Sequence, residues 1–228
     1  MIIQILSSLK DDGYLNKGRH PTVAPFFAGA NVAFRRAALT ETNGFDPCCV
    51  TGEDCDVCAR LSAAGHELFM QRHAVVAHDN QSSWWGFFRR WYGYGRYHPY
   101  VFRKHNEPAV EIHVRVGLSV AGERYTCLFY RKSPVPVVVF VTKFQLMHLA
   151  LLCALGALVA GATTLAVTAA VVAGVLALGY AWRDLRRHGL LLGAAFTALR
   201  YVGDLALFAG ALVGGLRQRM LYLSATID

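Results

Sequence analysis

Charge is scarce in this chain: charged residues make up 17% of its 228 residues, and residues 144–182 hold no Lys, Arg, Asp or Glu at all. A stretch without ionisable acids or strong bases does not form the surface of a water-soluble domain, and at 1.5 Å per residue about 20 apolar residues cross a bilayer core. The stretch therefore predicts two short crossings, a helical hairpin at about 144–182 with its turn near 156–164. A cleavable leader is also missing from the reading, because residues 2–6 form too short an apolar run before polar residues. No nucleic-acid fold signature accompanies the net charge of +8, so nucleic acid is not an expected partner. Six cysteines include Cys55 and Cys58 at a two-residue spacing, but a second ligand pair at zinc spacing is lacking, and the two thiols read as small buried apolar groups on a helix.

The charges that are present sit in clusters. Arg131, Lys132 and Lys143 precede the first apolar run, and Arg183, Arg186 and Arg187 follow the second. Basic flanks mark the cytoplasmic side of a membrane segment, which places both ends of the hairpin and the preceding half of the chain in the cytoplasm. The last apolar run, about 190–216, carries Arg200 and Asp204 one helical turn apart. Each would cost about 2.5–3.5 kcal/mol at a bilayer centre, so an amphipathic, packed or interfacial helix is favoured over a third full span. Division into residues 1–130 and 131–228 follows. The basic excess suits anionic lipid or a phosphate-bearing substrate.

In the first half, residues 23–28 and 31–34 read as short β-prone runs around Gly29, followed by a helix over "RRAALTETNG" that ends at Asn43 and Gly44. Thr51 to Asp54 match an acidic capping box, which predicts a helix from there to Ala64, with Gly65 as its left-handed stop and Val57, Leu61 and Ala64 on its buried side. Asp56 is spaced to pair with Arg60 one turn on. "ELFMQ" and "AVVAH" read as strands with Arg72 and His73 at the bend between them. A further helix is predicted from a serine cap at Ser82 to about Tyr97, where Pro99 limits its extension.

The acidic stretch "TGEDCDVCARL" supports three readings: a solvated helix start, a metal site, or a place where a proton is removed. Its context narrows them. The order "FAGANVAFRRAALTETNGFD", "GEDCDVCARLSAAGHELF", "AVVAHD" and "FFRRWYGYGR" over about 25–104 resembles the acceptor-side half of family 2 glycosyltransferases, and the hydrophobic helices resemble the membrane anchors of many bacterial members. The resemblance implies an α/β fold: a partial GT-A-like domain with an incomplete nucleotide-binding half, followed by a hydrophobic helical membrane region. It implies an inverting transfer of a sugar from a nucleotide sugar to a lipid-linked or envelope glycan acceptor at the cytoplasmic membrane, assisted by a divalent metal, Mg or Mn.

The chemistry asks for a carboxylate within hydrogen-bond reach of the acceptor hydroxyl, and a base so placed contributes about 100-fold to 10,000-fold. Asp54 is the candidate, at a helix amino terminus that favours negative charge; the bland alternative is a capping side chain. Glu53 would orient the acceptor or a backbone group. By the resemblance, Gly29, Ala30 and Asn31 form the floor of a sugar pocket, or else an ordinary turn. His78 matches a position that completes a metal shell or contacts pyrophosphate, against a structural histidine. Arg89, Arg90 and Trp91 look like the basic-aromatic motif near the leaving diphosphate, although a clean Gln-any-any-Arg-Trp is absent, and a helix lying on the membrane with Trp84, Trp85, Phe87 and Phe88 at the interface reads equally well.

"DCD" at Asp54 to Asp56 copies the family's metal-binding Asp-any-Asp motif literally, but it opens a helix downstream of the glycine turn instead of following a strand upstream of it. Asp11 and Asp12 are adjacent and a poor substitute, so the main metal-binding aspartates are not found in the sequence. Residues 1–24 are also too few for the nucleotide-binding half of such a fold, on the order of 100 residues. The expectation is a truncated enzyme or one part of a split one, partnered by a missing N-terminal half; the alternative is a noncatalytic membrane-anchored scaffold or remnant.

Overall fold

The structure is a computed structural model in which residues 29–69, 75–77, 83–116 and 124–224 are described. A 3-10 turn, Gly29–Asn31, opens the described part. It is followed by helices α1 (Arg36–Glu41), α2 (Glu53–Ala63) and α3 (Trp84–His105), then strands β1 (Ala109–Val116), β2 (Arg124–Lys132) and β3 (Val137–Val141). Helices α4 (Lys143–Val159) and α5 (Thr163–Arg217) and strand β4 (Leu221–Leu223) complete it.

Helix α1 stops where Asn43 and Gly44 both take positive φ, 62° and 66°. No strand forms at 31–34; the 3-10 turn and extended backbone lead straight into α1. Residues 23–28 lie outside the described part. Helix α2 buries Val57, Cys58 and Leu61 against Phe34, Ala38, Leu39 and Leu68, while Ala64 is exposed beyond its last turn. Its carboxyl end closes with Gly65 at φ 85° and with the amides of Gly65 and His66 donating to Ser62 O and Leu61 O. That is the reversed-turn stop which a glycine without Cβ permits. Its start differs from the capping box: Gly52 stands there at φ 82° with no side-chain cap, and the Thr51 hydroxyl reaches the Gly93 carbonyl instead.

Helix α3 begins one residue later than read, with Ser83 accepting from the Gly86 amide, and it passes through Pro99 to His105. Proline removes one helical N–H, but Phe87, Trp91, Gly95, Pro99 and Phe102 form a buried stripe at helical spacing, and packing outweighs the lost bond. This stripe meets the last part of α5. A Cβ on Gly95 would overlap the Leu207 carbonyl, and one on Gly210 would overlap the Tyr92 carbonyl, so the two backbones touch and only glycine fits at either place.

The sheet has strand order β2-β1-β3-β4. Strand β1 is antiparallel to β2 and parallel to β3, and β3 is parallel to β4, with Val138 facing Tyr222. Residues 67–69 and 75–77, read as parts of two strands, are irregular; the rest of those two segments lies outside the described residues. The strands come later, where the valine-rich run 137–141 is buried on alternate residues. Glu111 and His113, two apart on one face of β1, are both buried, with His113 Nε2 2.7 Å from Glu111 Oε2 and the ring 4.8 Å from that of Phe140.

Thr142 and Gln145 form a reciprocal capping box at the start of α4. Helix α5 is broken at Gly189 (φ 74°, ψ −179°), and its two arms lie antiparallel: Tyr180 donates to Asp204 Oδ2 at 2.6 Å and Arg200 Nε to Asp184 Oδ2 at 2.9 Å. Arg200 also donates to the Tyr180 carbonyl and lies over its ring, 3.9 Å from the centroid. Arg200 and Asp204, one turn apart, each find a partner on the opposite arm. Helix α4 joins this pair through Phe144 against Tyr180, Tyr201 and Phe208 and through His148 Nε2, 2.9 Å from the Tyr201 hydroxyl. Its outer face and that of the first arm of α5 expose Leu149, Leu155, Val167, Val171, Val175 and Leu178. Among the described residues, α5 is the one helix long and apolar enough to cross a membrane.

Candidate active site

Two consecutive alternate acids on α2 meet different neighbours. Asp56 points inward, is fully buried, and has cations on both oxygens. Oδ2 accepts from Arg60 at 2.8 and 3.0 Å, and Oδ1 lies 2.7 Å from Lys104 Nζ and 2.8 Å from His105 Nε2. Burial by itself would raise its carboxyl, but the hydrogen bonds from Lys104, Arg60 and His105 prevail and hold it below the usual carboxylate range. Lys104 continues the network to Asp46 at 2.7 Å, which also accepts from the Tyr100 hydroxyl at 2.7 Å. These bonds hold Asp46 far below its ordinary value and push the Tyr100 hydroxyl up to about 12. Arg60 additionally donates to the carbonyls of Thr42 and Gly44. The pairing of Asp56 with Arg60 thus forms as its spacing implies, inside a network that also fastens α2 to the end of α3 and to the 42–46 turn.

Asp54 lies on the opposite side of the first turn of α2, half-buried, and its partners are backbone N–H groups and the Cys55 thiol. Its Oδ2 accepts from Gly29 at 2.9 Å and its Oδ1 from Cys55 at 2.7 Å. A carboxylate offers about four lone-pair directions, so both oxygens retain capacity for a further donor. Gly29 packs directly on this group: a Cβ there would stand 3.8 Å from Glu53 Oε1 and 3.9 Å from Asp54 Oδ2. The structure therefore brings Gly29 together with Asp54 and Glu53, and the exposed Ala30 and Asn31 belong to the same 3-10 turn.

The other candidate residues are distributed along α3. Arg89 is exposed. Arg90 Nε donates to the Tyr94 hydroxyl at 2.9 Å. Trp91, 3% exposed, packs with Phe87, Phe196, Leu199, Ala206 and Leu207, so its ring belongs to the contact with α5 and not to the surface. His78 lies outside the described residues. Helix α3 also brings up His98, which no motif pointed to. Desolvation pushes its ring down to about 4 against the opposing pull of the Asp54 charge.

As a metal pair the Asp54 and Asp56 side chains do not fit. They diverge across the helix, and Asp56 is consumed by cations. Among the described residues no group of three or more His, Cys, Asp or Glu is placed to hold a metal ion. Cys49 and Cys55 are thiols of low reactivity: burial pushes Cys49 up to about 12 and Cys55 well above its ordinary value.

Residues 14–93 match the family described as Glycosyltransferase like family 2. Over that segment the chain resembles a family 2 glycosyltransferase. Two curated relatives, each a "Pre-mycofactocin glycosyltransferase" from a strain of Mycobacterium tuberculosis, are 38% identical over 63 residues. That alignment covers 28% of this chain and 13% of either relative, so the chain spans a small part of their length. No solved structure matches. The glycosyltransferase-like segment contains the Gly29 turn, Glu53, Asp54 and Arg89 to Trp91; His98, the sheet, α4 and α5 follow it.

Proposed function

We propose that the chain supplies the acceptor side of a membrane-bound inverting glycosyltransferase that moves a sugar from a nucleotide sugar to a lipid-linked or envelope glycan acceptor on the cytoplasmic face of the membrane. The observation that supports this most is the Asp54 carboxylate, set at a helix amino terminus against the Gly29 turn and free of the ion pairs that occupy Asp56. In this reading the acceptor hydroxyl gives its proton to an Asp54 oxygen as its own oxygen attacks the anomeric carbon. The bond from that carbon to the diphosphate oxygen breaks on the far face, and the nucleoside diphosphate leaves with the electron pair. Glu53 orients the acceptor, Gly29 to Asn31 let the sugar approach the backbone, and the guanidinium groups of Arg89 and Arg90 offset the charge of the leaving group. Helices α4 and α5 hold this machinery at the bilayer through their exposed leucines and valines.

The test is transfer from a panel of radiolabelled nucleotide sugars by membranes containing the chain together with the nucleotide-binding half that it is proposed to partner. Asp54→Asn is expected to lower transfer by at least about 100-fold, the contribution typical of a positioned base, while the unfolding midpoint and the membrane-bound fraction stay at wild-type values. Retained turnover in that variant removes Asp54 from the mechanism. Wild-type membranes inert toward every donor would instead support a noncatalytic anchor.

A further inference from the structure

Helix α3 and the second arm of α5 run side by side in the same direction. Gly203 packs on Phe87, Gly210 on the Tyr92 carbonyl and Gly214 on the Arg96 carbonyl, so residue numbers rise together and both helices begin at one end. Phe87 also shares a core with Phe196 and Leu199, and the Phe196 ring lies 4.4 Å from that of His188 on the first arm. Trp84 and Trp85, one turn before Phe87, therefore stand at the height of the stretch from Tyr180 to His188.

That stretch has a graded outer face. Val171, Val175, Leu178, Trp182 and Arg186 recur four, three, four and four residues apart, on one side of the helix, and all are exposed. Aliphatic residues give way to an indole and then to a guanidinium, the order met on leaving the hydrocarbon of a bilayer for its headgroups. Across the bundle, Trp84 and Trp85 are 65% and 70% exposed. Trp85 stacks on Phe88 with centroids 6.0 Å apart, and Phe88 on Tyr92 at 6.2 Å, so the aromatic surface is held rigidly along α3.

Charge at this height has one sign. Arg186 and Arg187 are exposed, α3 contains no Asp or Glu, and the two acids of α5, Asp184 and Asp204, are buried between its arms. A free phosphate would satisfy the arginines and leave the indoles in water. An anionic bilayer surface accepts both, the indoles in its headgroup layer and the guanidinium groups on its phosphates. We propose that the first turn of α3 and the Trp182 to Arg187 stretch of α5 form one collar that docks on anionic phospholipid, so that the glycosyltransferase-like segment itself touches the membrane. The proposal rests on the reading that α4 and the first arm of α5 lie in the bilayer.

The test uses the full chain alone, reconstituted into nanodiscs whose lipids are brominated at the headgroup end of the acyl chains. Trp182→Phe leaves Trp84, Trp85 and the buried Trp91 as the reporting indoles. Their emission is expected to be quenched at least about twofold more in discs with about a quarter phosphatidylglycerol than in pure phosphatidylcholine. Adding Trp84→Phe and Trp85→Phe removes most of that quenching. Arg186→Gln with Arg187→Gln abolishes the difference between the two lipids, while the protein stays in the disc. Every substituted side chain is exposed, so the unfolding midpoint is expected to remain at the wild-type value. Indoles that stay unquenched in anionic discs, or equal quenching in the two lipids, overturn the proposal and leave the membrane reading in place. A chain that fails to float with liposomes of either composition overturns both.

Discussion

Aspartates are buried beside cations in two regions of this molecule whose outer surfaces are opposite. Around α2 and α3 the interior is Val57, Leu61, Phe87 and Phe102 with Asp56 among them, and Arg60 and Lys104 reach from it toward the outside. In α4 and α5 the interior holds Asp184, Arg200 and Asp204, and the outside is leucine and valine, with Leu155 59% and Val175 66% exposed. A large exposed apolar face is unfavourable in water and costs nothing in hydrocarbon. The same device therefore has two uses. At the edge of water the Asp56 network ties three chain segments together; between apolar helices, Arg200 with Asp184 and Tyr180 with Asp204 fix one arm of α5 against the other where apolar packing cannot discriminate.

The comparison sharpens under substitution. The largest effect is expected for Arg200→Ala, which strips Asp184 of its guanidinium partner in an apolar interior, leaves it the Thr197 hydroxyl at 3.4 Å and Arg183 Nε at 3.9 Å, and costs about 3–5 kcal/mol. Replacing the pair by Arg200→Met with Asp184→Leu recovers most of that loss. Denaturant unfolding in detergent measures both, and a double variant as unstable as the single one would break the comparison. Asp56→Ala is expected to cost less, about 2–3 kcal/mol, because Lys104 and Arg60 are partly exposed and can turn to water or, for Lys104, to Asp46; a loss equal to that of Arg200→Ala would erase the distinction between the regions.

The smallest and most graded effect is acid sensitivity. His98 is depressed from an ordinary 6.5 to about 4, so the unfolded chain takes up its proton first, and stability that is complete above pH 6.5 declines as pH falls toward 4. Asp56 lies below its ordinary 3.8, so the contribution of its ion pairs is complete above that value and is lost only as pH falls through the lower folded one. Two successive losses are expected in unfolding midpoints measured from pH 7 to 2, and His98→Gln removes the first. A single loss below pH 4 in the wild-type chain would contradict the neutral ring.

Much of α2 was legible because its signals are local: a glycine at the left-handed stop, an acid and an arginine one turn apart, three acids at the start. The motif and the Arg60 spacing separate Asp54 from Asp56 locally, but the Lys104 and His105 that complete the network around Asp56 come some 50 residues later in the chain. His98 carried no motif, and the desolvation that depresses its ring is tertiary. Pro99 misled for the same reason, since the gain from the stripe facing α5 is tertiary. Strand β1, which the sequence reading passed over, alternates Val110, Ile112 and Val114 with Glu111 and His113, and the polar set is the one turned inward; a face is chosen by what the sheet packs against, which the pattern alone does not contain.

Strand β4 pairs in parallel with β3, yet α4 and α5 lie between them in the chain. On the ribosome, β3 is finished long before β4 exists, and that edge waits while α4 and α5 are made and settled. Completion of the sheet therefore reports on the helices: any fault in placing α5 withholds Leu221 to Leu223 and leaves β3 open to pairing with another chain.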